Sequence, residues 1–412
     1  MSDSEQRLTY YKPAWLNLMW GELAGDKGCT KLDVEAFMLS TAKPPPPLRD
    51  QPLLFPKPLP IKREAKSIIE GFTEFREWLN TPPPPKPAPA PKVAEKPKPK
   101  PKVKPFDIQD IPGAMDKLGW KYSAKIMRKW FAGEMNYSTN DEDDRKAINQ
   151  HGQAYPPSMV DTTTFTLDWI LSYQRAKEKY DELASYEKLT TPAAWNKLIE
   201  VLRRFPNMRY SRDERYRGAA PYFLHPWKLV GEDMRRFHEN FQFQFVMVGS
   251  SWQEILAKGI QSSGITGTAF PNDLEGALAN FSLYAAINKV YYARSTQTLA
   301  RCEITEVAIY MRDTYTFYDR SDTKASQYLG HWNSTGMRAV PAAELAARHG
   351  ADWLLRPIAG EGRLTEGNVF YPVQNKDFRK WQAEHKQGGD LLLFSNRRVI
   401  KLDRPIVLEF EI

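Results

Sequence analysis

The chain is poor in cysteine. Its 412 residues contain only two, Cys29 and Cys302, which lie far apart in the sequence. Two isolated thiols exclude a disulfide framework and a cysteine-based zinc site. We therefore interpret both as ordinary residues of a reduced protein.

Long apolar runs are also missing. No stretch approaches the ~20 consecutive apolar residues that a membrane-spanning helix needs. The N-terminal segment MSDSEQRLTYYK is polar throughout, which excludes a secretory signal peptide. The sequence therefore predicts a chain made in the cytoplasm, without stable membrane insertion. If such a chain leaves the cell, we expect a signal-independent route.

Standard catalytic and cofactor motifs are absent as well. The sequence contains no Walker A loop, no dinucleotide-binding glycine fingerprint, no HExxH and no GxSxG. Its six histidines include no pair with metal-ligand spacing. We therefore expect neither a metal nor a cofactor, and any catalytic assignment has to come from constellations of polar residues.

The net charge of +8 is concentrated in one short segment. Residues 81–105 carry a net charge of +6, whereas residues 1–80 are neutral and residues 106–412 carry +2. Proteins that bind nucleic acid use a basic stripe with interleaved aromatic residues, and the sequence shows no such stripe. We therefore expect no nucleic-acid partner.

Residues 81–105 also form the clearest boundary in the chain. Eleven of these 25 residues are proline, which fixes φ and removes the backbone donor, so neither helix nor sheet can propagate. The segment is therefore predicted to be a semi-rigid Pro/Lys-rich linker. It separates an N-terminal region, residues 1–80, from a main domain that begins at residue 106.

Residues 1–80 are interpreted as a docking region with short helices. A second proline tract covers residues 43–60, and apolar residues recur at helical spacing over residues 62–80. One short helix cannot bury its apolar face alone, so we expect it to dock on the main domain or on another protein. The alternative is a poorly ordered extension. The aromatic residues expected to dock are Trp15, Trp20, Phe72 and Trp78.

Helical patterns precede strand patterns in the main domain. Helices are predicted in 111–135 (two, separated at Gly119), 162–185, 190–205, the first part of 226–249, 341–350 and 375–386, with an acidic polar loop at 136–153. Strands are predicted at the end of 226–249 and at 303–317, 327–333, 367–373, 390–395, 397–402 and 405–412. This order predicts an α+β fold with a mostly antiparallel sheet.

The segment RDTYTFYDRSDTKASQYLGHWN, residues 312–333, holds the strongest candidate site. In a strand, residues two apart share a face, so Asp313 follows three apolar residues on the expected core face. A carboxylate there costs several kcal/mol unless it is paired or lies at a rim, and such local inconsistencies are typical of functional sites. The alternative is that the strand ends at Met311 and Asp313 begins a turn.

His331 is the second candidate catalytic residue. It follows Gly330, which allows close approach of a backbone or ligand, and an imidazole beside Asp313 would act as a general acid or base. A purely structural histidine is the alternative. The residues expected to position a substrate around this pair are Tyr315, Asp319, Gln327 and Asn333.

Four segments together resemble an uncharacterised bacterial family, a domain of unknown function that is often encoded near type VI secretion genes. They are DIPGAMDKLGWKYSAKIMRKWF (110–131), FLHPWKLVGEDM (223–234), VAIYMRDTYTF with SQYLGHWN (307–333), and GGDLLLFS (388–395). The resemblance spans roughly residues 106–412. It implies an antibacterial toxin or an accessory protein handled by a contractile secretion apparatus.

A second resemblance is to colicin M-type toxins, which cleave a lipid-linked cell-wall precursor. Their active region looks like Asp-x-Tyr-Asp followed by His-Arg. Here Asp313 and Tyr315 match the first part, whereas Thr316 replaces the second Asp and Trp332 follows His331. The resemblance implies a hydrolytic site at these residues, and the two departures put the details of that site in doubt.

Two hypotheses from different classes follow for the whole chain. The first is a type VI-secreted antibacterial effector, a hydrolase acting on a cell-envelope substrate, with a secretion spike or chaperone and a cognate immunity protein as partners. The second is a non-enzymatic adaptor or chaperone that loads another effector onto the spike. A structural protein unrelated to secretion is a third class.

Overall fold

The computed structural model describes residues 9–14, 17–25, 39–49, 106–204, 222–249, 272–294, 299–319, 326–338, 357–360 and 369–411. The predicted helices at 62–80 and 341–350 and the linker at 81–105 lie outside the described residues. So do Trp15, Phe72 and Trp78.

The helices of the described residues cluster in the first half of the main domain. In chain order they are α1 (Ile111–Lys117), α2 (Lys121–Phe131), α3 (Asp141–Lys146), α4 (Leu167–Leu171), α5 (Gln174–Ala184), α6 (Tyr186–Leu189), α7 (Pro192–Arg204), α8 (Pro226–Leu229), α9 (Met234–Phe241), α10 (Asp273–Leu278) and α11 (Asn375–His385). None of these helices has the length and apolar character needed to cross a membrane.

The strands are concentrated in the second half. They are β1 (Thr9–Ala14), β2 (Asn17–Gly25), β3 (Val160–Phe165), β4 (Tyr222–Leu224), β5 (Gln242–Val248), β6 (Phe281–Arg294), β7 (Leu299–Tyr315), β8 (Tyr328–Asn333), β9 (Gly336–Arg338), β10 (Ile358–Gly360), β11 (Val369–Gln374), β12 (Leu391–Ser395) and β13 (Arg398–Glu411). A helical part followed by sheets confirms the predicted α+β class.

A seven-stranded sheet is built around the long strand β7. Along one edge β7 pairs with β6; along the other it pairs first with β13 and then, over its last four residues, with β12. β6 in turn pairs with β4 and β5, and β3 runs parallel to β12. Residues 307–311 of β7 are all buried, because the strand is covered on both faces.

The second sheet has six strands in the order β2-β1-β10-β11-β8-β9. All its pairings are antiparallel except that of β1 with β10. The N-terminal segment thus supplies strands to this sheet, where we expected short helices; Trp20 lies within β2. The strand pair is possible because β10 offers a free edge for hydrogen bonding.

Two helix predictions require correction. The single helix predicted at residues 162–185 is in fact β3 followed by α4 and α5. Consecutive threonines favour the strand, and Thr166 then caps α4 by accepting a hydrogen bond from the backbone N–H of Trp169 at 3.3 Å. The predicted loop at residues 136–153 contains α3, which Asn140 caps by accepting from Glu142 and Asp143.

Two strand predictions also differ from the structure. β6 was not predicted as a separate strand, since its sequence FSLYAAINKVYYAR lacks strict alternation. The two strands predicted at 397–402 and 405–412 form one strand, β13. A register shift between Lys401 and Ile406 interrupts its pairing with β7, which explains why the sequence pattern breaks there.

A cluster of aromatic side chains joins the helices to the sheets. The Trp130 ring of α2 lies 5.0 Å from Phe317, 5.6 Å from Phe378 and 5.9 Å from Trp381. Phe317 and Phe378 stack face to face with centroids 3.6 Å apart. Each such pair contributes about 0.5–1.5 kcal/mol beyond the area it buries, so the cluster fixes α11 against the end of β7.

Gly389 generates a prediction about this junction. A Cβ at that position would lie 2.2 Å from the backbone carbonyl oxygen of Glu134. Relieving this clash requires a shift of the backbone, which costs more free energy than the movement of a flexible side chain. We expect Gly389→Ala to lower the free energy of unfolding by about 2 kcal/mol or more. Gly113→Ala is the matched control, because open space surrounds that position of α1 and a gain of up to about 1 kcal/mol is expected. Urea denaturation measures both; equal effects would contradict the close approach.

Candidate functional site

A cavity of about 770 Å³ opens where β7 ends. Its walls come from α1, α2, α3, α10, the residues after β7, β8, β11 and α11. Its polar and charged lining residues are Asp141, Asp144, Arg145, Glu275, Asn280, Asp313, Thr314, Thr316, Asp319, Gln327 and Asn375. The volume fits a small organic ligand, and four of the six predicted site residues line it: Asp313, Tyr315, Asp319 and Gln327.

Asp313 reaches the cavity because β7 runs past the buried core before it ends. Its backbone pairs with Leu393 of β12, so the strand does not end at Met311. The side chain is half-buried, and this burial raises the pKa of the Asp313 carboxyl well above its usual range. The nearby Asp144 carboxylate raises it further, whereas the Thr314 backbone and Arg312 lower it. Asp313 is therefore a carboxyl that favours its protonated form.

Asp144 is the partner that sequence reasoning missed. It lies near the end of the short helix α3, and two β7 side chains hold that end. Arg312 donates to the Arg145 carbonyl at 2.7 Å, and the Thr314 hydroxyl donates to the Asp144 carbonyl at 3.4 Å. The same strand that carries Asp313 thus positions Asp144 beside it.

The Asp144 carboxyl is electrostatically unusual. Burial, with a contribution from Asp390, raises its pKa to about 6, while Arg312 and Arg379 oppose the shift. Its Oδ1 atom is buried and accepts no hydrogen bond from the described residues, and the same holds for Oδ1 of Asp141. Buried acceptors without partners are uncommon in native proteins and call for an explanation. A ligand in the cavity supplies one.

A polar cluster forms another wall of the cavity. The Asn375 amide donates to Asp319 Oδ1 at 2.9 Å, and the backbone N–H of Gln327 donates to the same atom at 3.0 Å. The backbone N–H of Asn375 also donates to the Gln327 carbonyl at 3.1 Å. Asn375, which begins α11, therefore links the two predicted residues Asp319 and Gln327. No sequence motif marked it.

His331 and Asn333 lie on β8 and do not line this cavity. His331 is fully buried, and its Nδ1 shares a hydrogen bond with the Tyr328 hydroxyl. Asn333 Oδ1 accepts from the backbone and the hydroxyl of Thr335 at 2.8 and 2.7 Å, which fixes the turn between β8 and β9. β8 belongs to the six-stranded sheet and β7 to the seven-stranded one. The catalytic role of His331 stays a prediction.

A buried ion pair supports the cavity from beneath. Asp390 is completely buried, and Arg379 of α11 donates to both of its carboxylate oxygens, at 3.0 and 2.6 Å. The Trp130 indole donates at 3.1 Å and the Thr316 hydroxyl at 2.8 Å. Thr316 also lines the cavity. Through Thr316, this pair therefore fixes the segment between Asp313 and Asp319.

The chemistry available in the cavity is that of carboxyl groups. One carboxyl has a strongly raised pKa and a second has a pKa near neutrality, which is the arrangement of a general acid and a general base. Among the described residues, no group of three or more His, Cys, Asp or Glu side chains is arranged to hold a metal ion.

Comparison with known proteins places most of the chain in one family. A model of a family of unknown function, DUF6402, matches residues 106–410. No curated protein and no solved structure matches the chain. Membership in a family of unknown function over the main domain is thereby confirmed. The association with type VI secretion and the likeness to colicin M stay predictions.

The Asp390 pair generates a stability prediction. Arg379→Met leaves a buried carboxylate without its cation, so we expect the free energy of unfolding to fall by about 3–5 kcal/mol. Lys146→Ala serves as the control, because its ion pair with Glu142 is exposed and contributes little. Chemical denaturation of both variants measures the difference. Comparable small losses would show that Asp390 does not depend on Arg379.

Asp144 generates a pH-dependent prediction. Its folded-state pKa lies above the unfolded value, so below about pH 4 it is protonated in both states and costs nothing, whereas above about pH 6 the folded state carries the burial cost. We expect Asp144→Asn to stabilise the protein at pH 8 by on the order of 1–2 kcal/mol, allowing for partial exposure, and to change it little at pH 4.

Thermal unfolding at the two pH values measures this difference. The exposed Asp403 supplies the control, and Asp403→Asn should shift stability equally at both pH values. Destabilisation by Asp144→Asn at pH 8 would show that the carboxylate serves the fold rather than a ligand.

Proposed function

The chain belongs to DUF6402, a family of unknown function, and from that premise we propose that residues 106–410 form a hydrolase domain whose catalytic groups are the carboxyls of Asp313 and Asp144. One observation carries the proposal. Both carboxyls line one cavity, burial raises the pKa of each, and Asp144 Oδ1 is a buried oxygen that accepts no hydrogen bond from the described residues. Perturbed carboxyls in a cleft are candidates for acid–base catalysis.

The two carboxyls take different roles near neutral pH. Asp144, with a pKa of about 6, is largely ionised and accepts a proton from water as that water attacks the scissile bond. Asp313, whose pKa burial raises well above its usual range, is the proton donor to the leaving group as the bond breaks. Asp144 has then gained one proton and Asp313 has lost one. A proton transfer through solvent after product release returns both carboxyls to their starting states.

The charge of the cavity favours a neutral or cationic substrate. Apart from the proton donor Asp313, its lining carries Asp141, Asp144, Glu275 and Asp319 against Arg145. Several carboxylates in one cavity repel a pyrophosphate group. A lipid-linked pyrophosphate therefore fits the cavity less well than a polar group without phosphate. Amide groups of Gln327 and Asn375 offer both donors and acceptors. A glycan or peptide portion of the cell envelope meets these requirements.

The cellular role that we propose is that of an antibacterial effector. It rests on the resemblance to proteins encoded near type VI secretion genes, with a secretion spike or chaperone bound by the N-terminal region and a cognate immunity protein in the producing cell. A hydrolase for the cell envelope suits this role, because the producer keeps its own envelope safe only while the toxin is inhibited or exported.

A non-enzymatic adaptor is the second candidate, and exposed apolar residues favour it. Phe223 of β4 and Phe245 and Met247 of β5 are 52%, 49% and 61% exposed. These strands flank β6, whose Tyr291 and Tyr284 pack against the two phenylalanines. Exposed apolar patches on sheets serve protein contacts. If the chain is an adaptor, Phe245→Ser should abolish capture of a secreted partner in a pull-down.

The hydrolase proposal predicts loss of toxicity from single substitutions. General acid and base groups each contribute about 10²–10⁴-fold to rate, so Asp313→Asn and Asp144→Asn should each restore growth of cells that express the chain. Expression directed to the periplasm and to the cytosol, with growth as the readout, tests this. Release of soluble fragments from isolated envelopes by the purified protein gives a second measurement.

Four comparisons decide the outcome. Asp403→Asn is the control and should remain toxic. His331→Ala tests the pair predicted from the sequence. If His331→Ala abolishes toxicity while Asp144→Asn remains fully toxic, His331 is favoured as the partner of Asp313. Full toxicity of folded Asp313→Asn would contradict the site, and absence of toxicity from the unaltered chain in both compartments would favour the adaptor.

A further inference from the structure

Residues 39–49, with the sequence LSTAKPPPPLR, lie along the main domain as a strap. They precede the region matched by the family model and form no helix or strand of their own apart from one bridge between Ser40 and Asp107. Despite this, side chains and backbone of the main domain contact the strap from Ser40 to Arg49. The strap is therefore held by the surface on which it lies.

Three side chains of the main domain contact four backbone carbonyls of the strap. Gln109 Nε2 donates to the carbonyls of Lys43 and Pro44, at 2.8 and 3.3 Å. His385 Nε2 lies 2.8 Å from the Thr41 carbonyl, and Gln387 Nε2 donates to the Pro46 carbonyl at 2.7 Å. Gln109 lies near the start of the main domain, and His385 and Gln387 lie near its end. All three side chains contact the strap.

This pattern suits a proline-rich ligand. Proline has no backbone N–H, so its carbonyl is the one backbone group that it offers for hydrogen bonding. An extended proline run also loses little conformational entropy on binding, which is why proline-rich segments recur as recognition peptides. Gln387 is itself buried, and its amide also donates to the Phe131 carbonyl at 2.9 Å, so this donor is held in place by the domain.

Both ends of the strap are anchored. At the start, the buried carboxylate of Asp107 accepts from the Ser40 hydroxyl at 2.7 Å and from the Lys43 backbone N–H at 3.2 Å. The Ser40 backbone N–H donates to Phe106, and its carbonyl accepts from Ile108. At the far end, the Arg49 backbone N–H donates to the Ala132 carbonyl at 2.6 Å. The anchors set the register of the peptide.

We propose that this surface is a recognition groove for a proline-rich peptide that begins with a Ser-Thr pair, and that residues 39–49 are its ligand, bound within the same chain but separable from it. The non-covalent contacts in the groove hold the N-terminal region against the main domain, and they do not require the covalent connection between the two. The inference does not depend on the proposed hydrolase activity.

Cleavage of the intact protein tests the proposal. A protease site is introduced at residues 87–91 of the predicted linker, and the purified full chain is cut there. We expect the N-terminal fragment to remain bound to the main domain on size-exclusion chromatography. A synthetic peptide of residues 39–49 in excess should release it, and a peptide of the same composition with its prolines dispersed should not.

Groove variants sharpen the test. Gln109→Ala removes the donor to two strap carbonyls and His385→Ala removes a third contact. Each should raise the dissociation constant of the cut N-terminal fragment by roughly 3- to 10-fold, measured by its release on dilution. Lys376→Ala, exposed on α11 away from the strap, is the matched control and should behave like the unaltered protein. An unchanged melting temperature before cleavage confirms that each variant is folded.

Several outcomes would overturn the proposal. Separation of the fragment upon cleavage would show that the strap has no affinity of its own. Retention without any effect of the 39–49 peptide would assign the contact to the pairing of β1 with β10. A peptide of residues 81–89, TPPPPKPAP, has six prolines but no Ser-Thr pair; equal competition by it would contradict the role assigned to Ser40 and Thr41.

Discussion

The buried carboxylate of Asp390 is the constraint around which this structure is organised. A buried charge is tolerated only when it is paired and hydrogen-bonded, and Asp390 meets this requirement by collecting donors from three separate parts of the chain. Arg379 brings α11, Trp130 brings α2, and Thr316 brings the segment after β7. Satisfying one carboxylate therefore fixes the elements that surround the cavity.

The cavity follows from that arrangement together with the length of β7. Because β7 continues past its buried apolar run, Asp313 lies at the cavity wall instead of in the core. Arg312 and Thr314 on the same strand hold the end of α3 and place Asp144 there. The two carboxyls are costly for folding, and the aromatic cluster around Trp130 offsets that cost nearby. The two carboxyls lower the stability of the fold, whereas the side chains that surround them raise it. Catalytic sites are commonly built in this way.

Individual residues show which side chains of the cavity the sequence singled out. Asp313 was identified because a carboxyl follows apolar residues on one face of a strand, a local pattern that needs no knowledge of the fold. Asp319, Gln327 and Tyr315 followed from their nearness to it. Asp144 and Asn375 were missed because each lies in a polar context where nothing is out of place locally. His331 stood out for its neighbouring glycine, yet β8 belongs to the other sheet and its side chain is buried away from the cavity.

The sequence by itself determined the class of fold, the proline-rich linker prediction, about half of the described helices and strands, and one anomalous aspartate. These features depend on periodicity, proline content and burial pattern, which are properties of neighbouring residues. Only the tertiary structure decided that Asp313 and Asp144 line one cavity, that Arg379 pairs with Asp390, and that residues 39–49 hydrogen-bond to Asp107 and Gln387. The first and last of these join residues far apart in the chain, and the energies of all three depend on the burial that folding creates.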